Sequence, residues 1–182
     1  MKTTKKLLGL LLCALPLAAT AQDKIAYVNT QEIMMVSPEY KTAMTKLEAT
    51  SKQYEDQLLK LNQEGQKKLE EYQKLESNPA TDQTILKDKR DELAALDQRI
   101  QNFRQNAAES VQKAQESEMM PVINKIRTAI NDVANAQGID YVIEEGGLIF
   151  HSNKAVSITS AVRSKLGIPS NATPYQPGAG AK

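Results

Sequence analysis

Tryptophan is absent from this sequence, and its aromatic residues are six tyrosines and two phenylalanines. So little aromatic bulk argues against one large globular core. Histidine occurs once, as His151, and cysteine once, as Cys13. A nucleophile–base pair or a soft metal site would need partners that such a chain does not offer. The eight glycines form neither a G-x-x-x-x-G-K-[ST] loop nor a G-x-G-x-x-G turn, so nucleotide binding has no support. No D-x-[DN]-x-[DN]-G calcium loop occurs. Past the N-terminus no stretch is apolar and long enough to cross a membrane. The reading is of a protein that is not an enzyme and carries no cofactor, metal or catalytic residue.

What is present begins with an export address. Lys2, Lys5 and Lys6 precede the apolar run Leu7 to Leu17, and Ala19-Thr20-Ala21 supplies a small-residue cleavage pattern. A signal peptide of residues 1–21 is expected, cut after Ala21. The competing lipoprotein reading through Cys13 is disfavoured by Leu12, which stands where a small residue belongs. Cleavage removes the only thiol and three lysines, taking 23 basic against 22 acidic residues to 20 against 22. A mildly acidic mature chain excludes a polybasic nucleic-acid partner and argues against a membrane-surface one.

Residues 24–29 read as a strand through Ile25, Tyr27 and Val28, and Thr30 to Val36 as a short helix. Ser37-Pro38-Glu39 is a helix start: serine caps, proline is preorganised for the first turn, and glutamate suits the positive dipole end. A seam then runs through Tyr40, Met44, Leu47, Ser51, Tyr54, Leu58 and Leu61 in coiled-coil spacing. Gly65 and Leu69 continue it with two successive steps of four, a stutter, and Tyr72 and Leu75 close it. Ser77 to Asp82 breaks the helix around Asn78-Pro79. A second stripe follows through Leu86, Leu93, Leu96, Ile100, Phe103, Ala107, Ser110 and Ala114.

The stripes fit as an antiparallel hairpin with its tip at 77–82. Leu75 then lies near Ile85, Leu58 near Ile100, Tyr54 near Phe103–Gln105, and Tyr40 near Met119. The capped start at Ser37 falls opposite Pro121, which should kink or interrupt the returning helix. Each arm helix would run roughly 57 Å at about 1.5 Å per residue. Beyond Pro121 a helix is expected through Val122, Ile126, Ile130 and Val133, ending at Gly138. Strands Ile139 to Glu144 and Leu148 to His151 would form a hairpin about Glu145-Gly146-Gly147. A short extended piece lies near Val156, and Thr159 can cap a last helix through Val162 and Leu166 to Gly167.

The fold class is therefore α+β, mostly α: a long antiparallel helical hairpin, a coiled-coil arm, on a small β-rich body. The arm spans 38–120, and 22–37 plus 121–167 form the body, with 168–182 a disordered tail. A body of about 60 residues has a marginal core alone, so oligomerisation through it is expected. His151 reads more simply as a strand-end surface residue than as a ligand. Met34, Met35, Met44, Met119 and Met120 cluster where arm meets body, as junction filler or as an adaptable binding surface. Apolar positions Leu59, Ile85, Ala94 and Ala95 lie off the seam. The distal region 64–92 sets six basic residues among eight acidic ones, a solvated mixed face.

Lys24-Ile-Ala-Tyr-Val-Asn-Thr-Gln-Glu-Ile and Ser37-Pro38-Glu39-Tyr40-Lys41 resemble the opening of the Skp/OmpH family of periplasmic chaperones. Val122 to Ala134, Gly138-Ile139-Asp140-Tyr141-Val142-Ile143 and Ile158-Thr159 are similar to that family's body elements. The resemblance implies a jellyfish-like homotrimer whose helical arms enclose a cavity. It implies an ATP-independent holdase that keeps unfolded outer-membrane β-barrel proteins soluble in the periplasm. On that resemblance Ile25, Tyr27, Val28, Tyr141, Ile143, Leu148 and Phe150 would lie in the trimer body, and client contact would fall on Met34, Met35, Leu59, Ile85, Ala94, Ala95, Met119 and Met120. The arm departs from the family's basic character, which argues against steering to lipopolysaccharide or acidic clients. The competing reading is a structural coiled-coil envelope protein that tethers or spaces components.

Overall fold

The computed structural model describes residues 23–176; the expected signal peptide, including Cys13, lies outside the described residues. Strand β1 (Ile25–Val28) leads into helix α1 (Thr30–Val36) and then α2 (Pro38–Glu76). Helix α3 (Gln83–Gln137) returns to strand β2 (Tyr141–Glu144), a 3-10 turn (Glu145–Gly147), strand β3 (Val156–Ser157) and helix α4 (Thr159–Lys165). The first strand sits in the middle of the sheet, in the order β2-β1-β3, parallel to both neighbours. Alternation along the strand places Ala26 and Val28, each 2% exposed, on the helix-covered face. With Ile33, Ile126, Ile158 and Val162 they build the body core.

Local chemistry sets the helix ends. A side-chain oxygen at the cap satisfies an amide that the first turn leaves open. Asn29 caps α1 by accepting the Glu32 amide at 2.7 Å, and Ser37 caps α2 by accepting the Tyr40 amide at 3.2 Å. Asp82 starts α3 by accepting the Thr84 amide at 2.7 Å. That bond favours the charged form and holds the carboxyl below its usual range. Gly138 ends α3 at φ 61°, a left-handed conformation that costs glycine no Cβ clash. The Lys24 ammonium donates to Gln137 O at 2.8 Å, placing a cation on the negative end of that helix.

Helices α2 and α3 lie along each other with their numbering in opposite senses. Lys46 meets Glu118 at 2.9 Å near one end and Lys68 meets Glu92 at 2.9 Å near the other. Between them the Tyr54 and Phe103 rings stand 6.1 Å apart, and Leu58 packs on Leu61, Leu96 and Ile100. The covered stripe of α2 passes through Leu47, Ser51, Tyr54, Leu58, Leu61, Gly65, Lys68, Tyr72 and Leu75. Its steps of four and three never falter, so the expected stutter is absent. Lys68, not Leu69, takes the seam position: its alkyl stem is covered while its ammonium reaches Glu92. Leu69 is turned outward, 46% exposed.

Three other expectations are corrected. The interruption expected at Pro121 does not occur, and helix α3 continues through it. Proline in a helix interior costs about 3 kcal/mol, but Val122, Ile126, Ala129 and Val133 beyond it are buried in the body core. Each large apolar side chain so buried contributes on the order of 1.5–3 kcal/mol, so packing prevails. Second, Leu148 to His151 forms no strand, and β2 pairs with β1, Ile25 beside Tyr141 and Tyr27 beside Ile143. The Glu-Gly-Gly segment is a 3-10 turn instead of a hairpin connection. Third, the expected disordered tail is anchored at points, and its residues 177–182 lie outside the described residues: Ile168 is 5% exposed, and the Tyr175 amide donates to Met35 O at 2.7 Å.

Candidate functional site

The small sheet leaves one face uncovered, and strand alternation decides which residues occupy it. Ile25 and Tyr141 are neighbours across the β1–β2 ladder, as are Tyr27 and Ile143. Ile25 is 54% and Tyr141 57% exposed, and Ile143 is also exposed. Tyr27 is half-buried beneath the His151 ring, which stacks on it at 4.6 Å. Phe150 and Ile149, in the loop after the 3-10 turn, stand almost fully in solvent, while Leu148 is half-buried. Four residues of the expected oligomerisation set, Ile25, Tyr27, Tyr141 and Ile143, thus share one face of the sheet. Val28 does not join them, because its strand position turns it into the core. Ile149 was missed by sequence reasoning; its place in the apolar triplet Leu148-Ile149-Phe150 was the available signal.

The acidic pair beside that face is used internally. Glu144 accepts the Thr30 amide at 3.0 Å, and Glu145 accepts from the Asn29 side-chain amide at 2.7 Å. Thr159, expected as a cap, is the first residue of α4, and its hydroxyl accepts the Asn29 amide at 3.0 Å. Asn29 therefore ties β1, the 3-10 turn and α4 together. His151 Nε2 lies 3.8 Å from Glu145 Oε1, beyond hydrogen-bond distance, at a partly exposed position. Among the described residues no group of His, Cys, Asp or Glu could hold a metal ion. No helix there is long and apolar enough to cross a membrane.

The expected client residues fall in two places. On the helix pair, Leu59 is 56% and Ile85 47% exposed, and Ala94 and Ala95 are exposed as well. Leu69 belongs with them; sequence periodicity had placed it in the seam. At the root, Met35 and Met120 are exposed, whereas Met34 and Met119 pack against the body core. Met34 also lines an apolar groove of about 240 Å³ with Thr30, Ile123, Ile126, Arg127 and Ile130. Ile123 was not singled out from sequence, although Ile123, Arg127 and Ile130 keep helical spacing one position beyond the core stripe.

Charge on the helix pair is locally compensated. Lys68 and Lys89 both reach Glu92, at 2.9 and 3.3 Å, and their hydrogen bonds hold its carboxyl below the usual range. Arg90 donates to the Tyr72 hydroxyl at 3.0 Å, and Arg99 lies 4.0 Å from Glu64. Exposed pairs of this kind contribute little to stability, typically below about 1 kcal/mol each.

A three-stranded parallel sheet thus carries two long paired helices, with apolar residues exposed on both parts. The model of the outer membrane protein (OmpH-like) family matches residues 24–166, and this chain belongs to that family. Chaperone protein Skp of Blochmanniella pennsylvanica (strain BPEN) is 29% identical over 154 residues, 81% of this chain and 87% of that protein. Chaperone protein Skp of Escherichia coli (strain K12) is 28% identical over 154 residues, 84% of this chain and 92% of that protein. The fold is also similar to the crystal structure of a candidate OmpH-like outer membrane chaperone from Caulobacter crescentus CB15. That match has a TM-score of 0.70 at 18% identity, covering 80% of this chain and 85% of that one.

Proposed function

We propose that this chain is an exported, periplasmic holdase that binds unfolded outer-membrane β-barrel proteins and prevents their aggregation without ATP. Residues 38–120 act as an arm, 22–37 with 121–167 as the body, and three copies associate through the open face around Ile25, Tyr141 and Ile143 and through Phe150. Clients are held in the cavity that three arms enclose, against Leu59, Leu69, Ile85, Ala94 and Ala95, with Met35 and Met120 at the root. The observation that carries this reading is the apolar surface left outside a seam that is already filled. Leu59, Leu69 and Ile85 do not hold the helices together, yet they stay exposed on them. Many weak apolar contacts spread over a long surface shield a client and still release it without nucleotide.

The test is dilution of a urea-unfolded outer-membrane β-barrel protein with and without the purified protein. Suppressed light scattering at one trimer per client is expected, and a Leu59→Ser, Leu69→Ser, Ile85→Ser triple variant should lose much of it. Aggregation unchanged by the wild-type protein would overturn the reading in favour of a structural envelope spacer. A light-scattering mass of one chain would remove the trimer.

A further inference from the structure

The arm is joined to the body in two unlike ways. Helix α3 passes from one into the other unbroken, but α1 and α2 meet at the single extended residue Ser37, at φ −74° and ψ 132°. One segment crosses that joint from outside, and it lies beyond the residues that the family model matches. Ile168 is buried in the body core, and Arg163 fixes the next two residues by donating to Pro169 O at 2.9 Å and Ser170 O at 3.2 Å. Tyr175 then holds both sides of the joint. Its amide donates to Met35 O of α1 at 2.7 Å, satisfying a carbonyl that a helix end leaves open. Its hydroxyl donates to Glu48 of α2 at 2.7 Å, and its ring stands edge-on to Tyr40 of α2 at 6.0 Å.

We propose that residues 168–176 form a strap that braces the Ser37 joint and sets the angle at which the arm leaves the body. A joint crossed by a single extended residue permits hinge motion unless further contacts span it. Tyr175 spans it with three contacts of different chemistry, to one residue on the body side and two on the arm side. A tail that merely covered apolar surface would have no reason to fix the hydroxyl on a carboxylate roughly three turns into α2. The strap needs no client, so it stands or falls independently of the holdase reading.

The experiment places spin labels at Lys60→Cys on α2 and Ser160→Cys on α4, both exposed positions. The full chain is used with Cys13→Ser, and labelled chains are diluted with unlabelled ones so that pulsed dipolar spectroscopy reads the distance within one chain. A narrow distribution is expected for the parent. Ending the chain after Asn171 keeps Ile168 and both carbonyls held by Arg163, and should broaden the distribution. Tyr175→Phe and Glu48→Ala should each broaden it by a smaller amount. An unchanged width and mean in the truncated chain would overturn the proposal. If truncation lowers the circular-dichroism melt of the body, the two point variants decide, and parental widths in both would equally refute the strap.

Discussion

Replacing Gly65 by alanine should strengthen the helix pair. A Cβ added there would lie 3.7 Å from Leu96 Cδ2 and 4.0 Å from Ile100 Cδ1, ordinary contact with no clash. Loss of glycine's backbone freedom in a helix interior is worth about 1 kcal/mol. The new methyl would be partly buried beside the Leu61–Leu96–Ile100 cluster. It adds up to half of the ~0.8 kcal/mol that a fully buried one contributes. The sum, about 1–1.5 kcal/mol, corresponds to roughly a five- to ten-fold change in an equilibrium. Such a gain is local, so hydrogen exchange is the assay: amides of residues 58–69 and 96–103 should exchange that much more slowly. Body amides around Ile126 and Ile158 should not change. Gly65→Leu is the opposing control, because extra bulk at a filled contact costs about 1–3 kcal/mol. Unchanged or faster exchange in the alanine variant would refute the reasoning and mean that the arm bends at this position.

Ser37→Ala removes the α2 cap and the 2.9 Å bond its hydroxyl donates to Glu39. Loss of such a cap should cost about 1–2 kcal/mol in urea unfolding. Pro121→Ala restores a donor to the Ser117 carbonyl inside α3. It should stabilise that helix by up to about 3 kcal/mol, raising the thermal midpoint. The Glu39 carboxyl is held below the ordinary glutamate range chiefly by its hydrogen bond with Lys125. A depressed carboxylate pKa contributes stability that is complete above the unfolded value and is lost as pH falls through the folded one. An acid titration of the melting temperature should therefore fall more steeply for the parent than for Glu39→Gln, and parallel curves would remove that pair's role.

Features written in neighbouring residues were the legible ones. A serine before Pro38, Asn78-Pro79 before Asp82, and glycines at 138 and 167 each act over one turn, and each marks a helix boundary. The body-facing stripe of α3 was equally readable from its spacing. What stayed hidden depended on distant partners. A Glu-Gly-Gly segment reads as a hairpin turn, but β2 finds its ladder on β1, more than a hundred residues earlier. The penalty at Pro121 is local, whereas the burial that outweighs it belongs to the assembled body. Leu69 and Lys68 sit side by side, and apolarity alone favours leucine for the seam; the geometry of the pair seats lysine because Glu92 waits opposite. The tail has no periodicity, so nothing in its own composition announced that Ile168 and Tyr175 have sites to fill.

The opposed numbering of α2 and α3 also constrains how such a chain can change length. Every rung, from Lys46–Glu118 to Lys68–Glu92, joins residues counted from opposite directions. Seven residues inserted into α2 alone would leave the root in place and carry every more distal rung out of step with its partner. The same insertion made in both helices at facing positions would restore each rung and add roughly 10 Å of reach, at about 1.5 Å per residue. A deletion obeys the same arithmetic. In lineages that lengthen or shorten this arm, changes should arrive as matched events on both sides of the Asn78-Pro79 tip, in multiples of the seam's repeat.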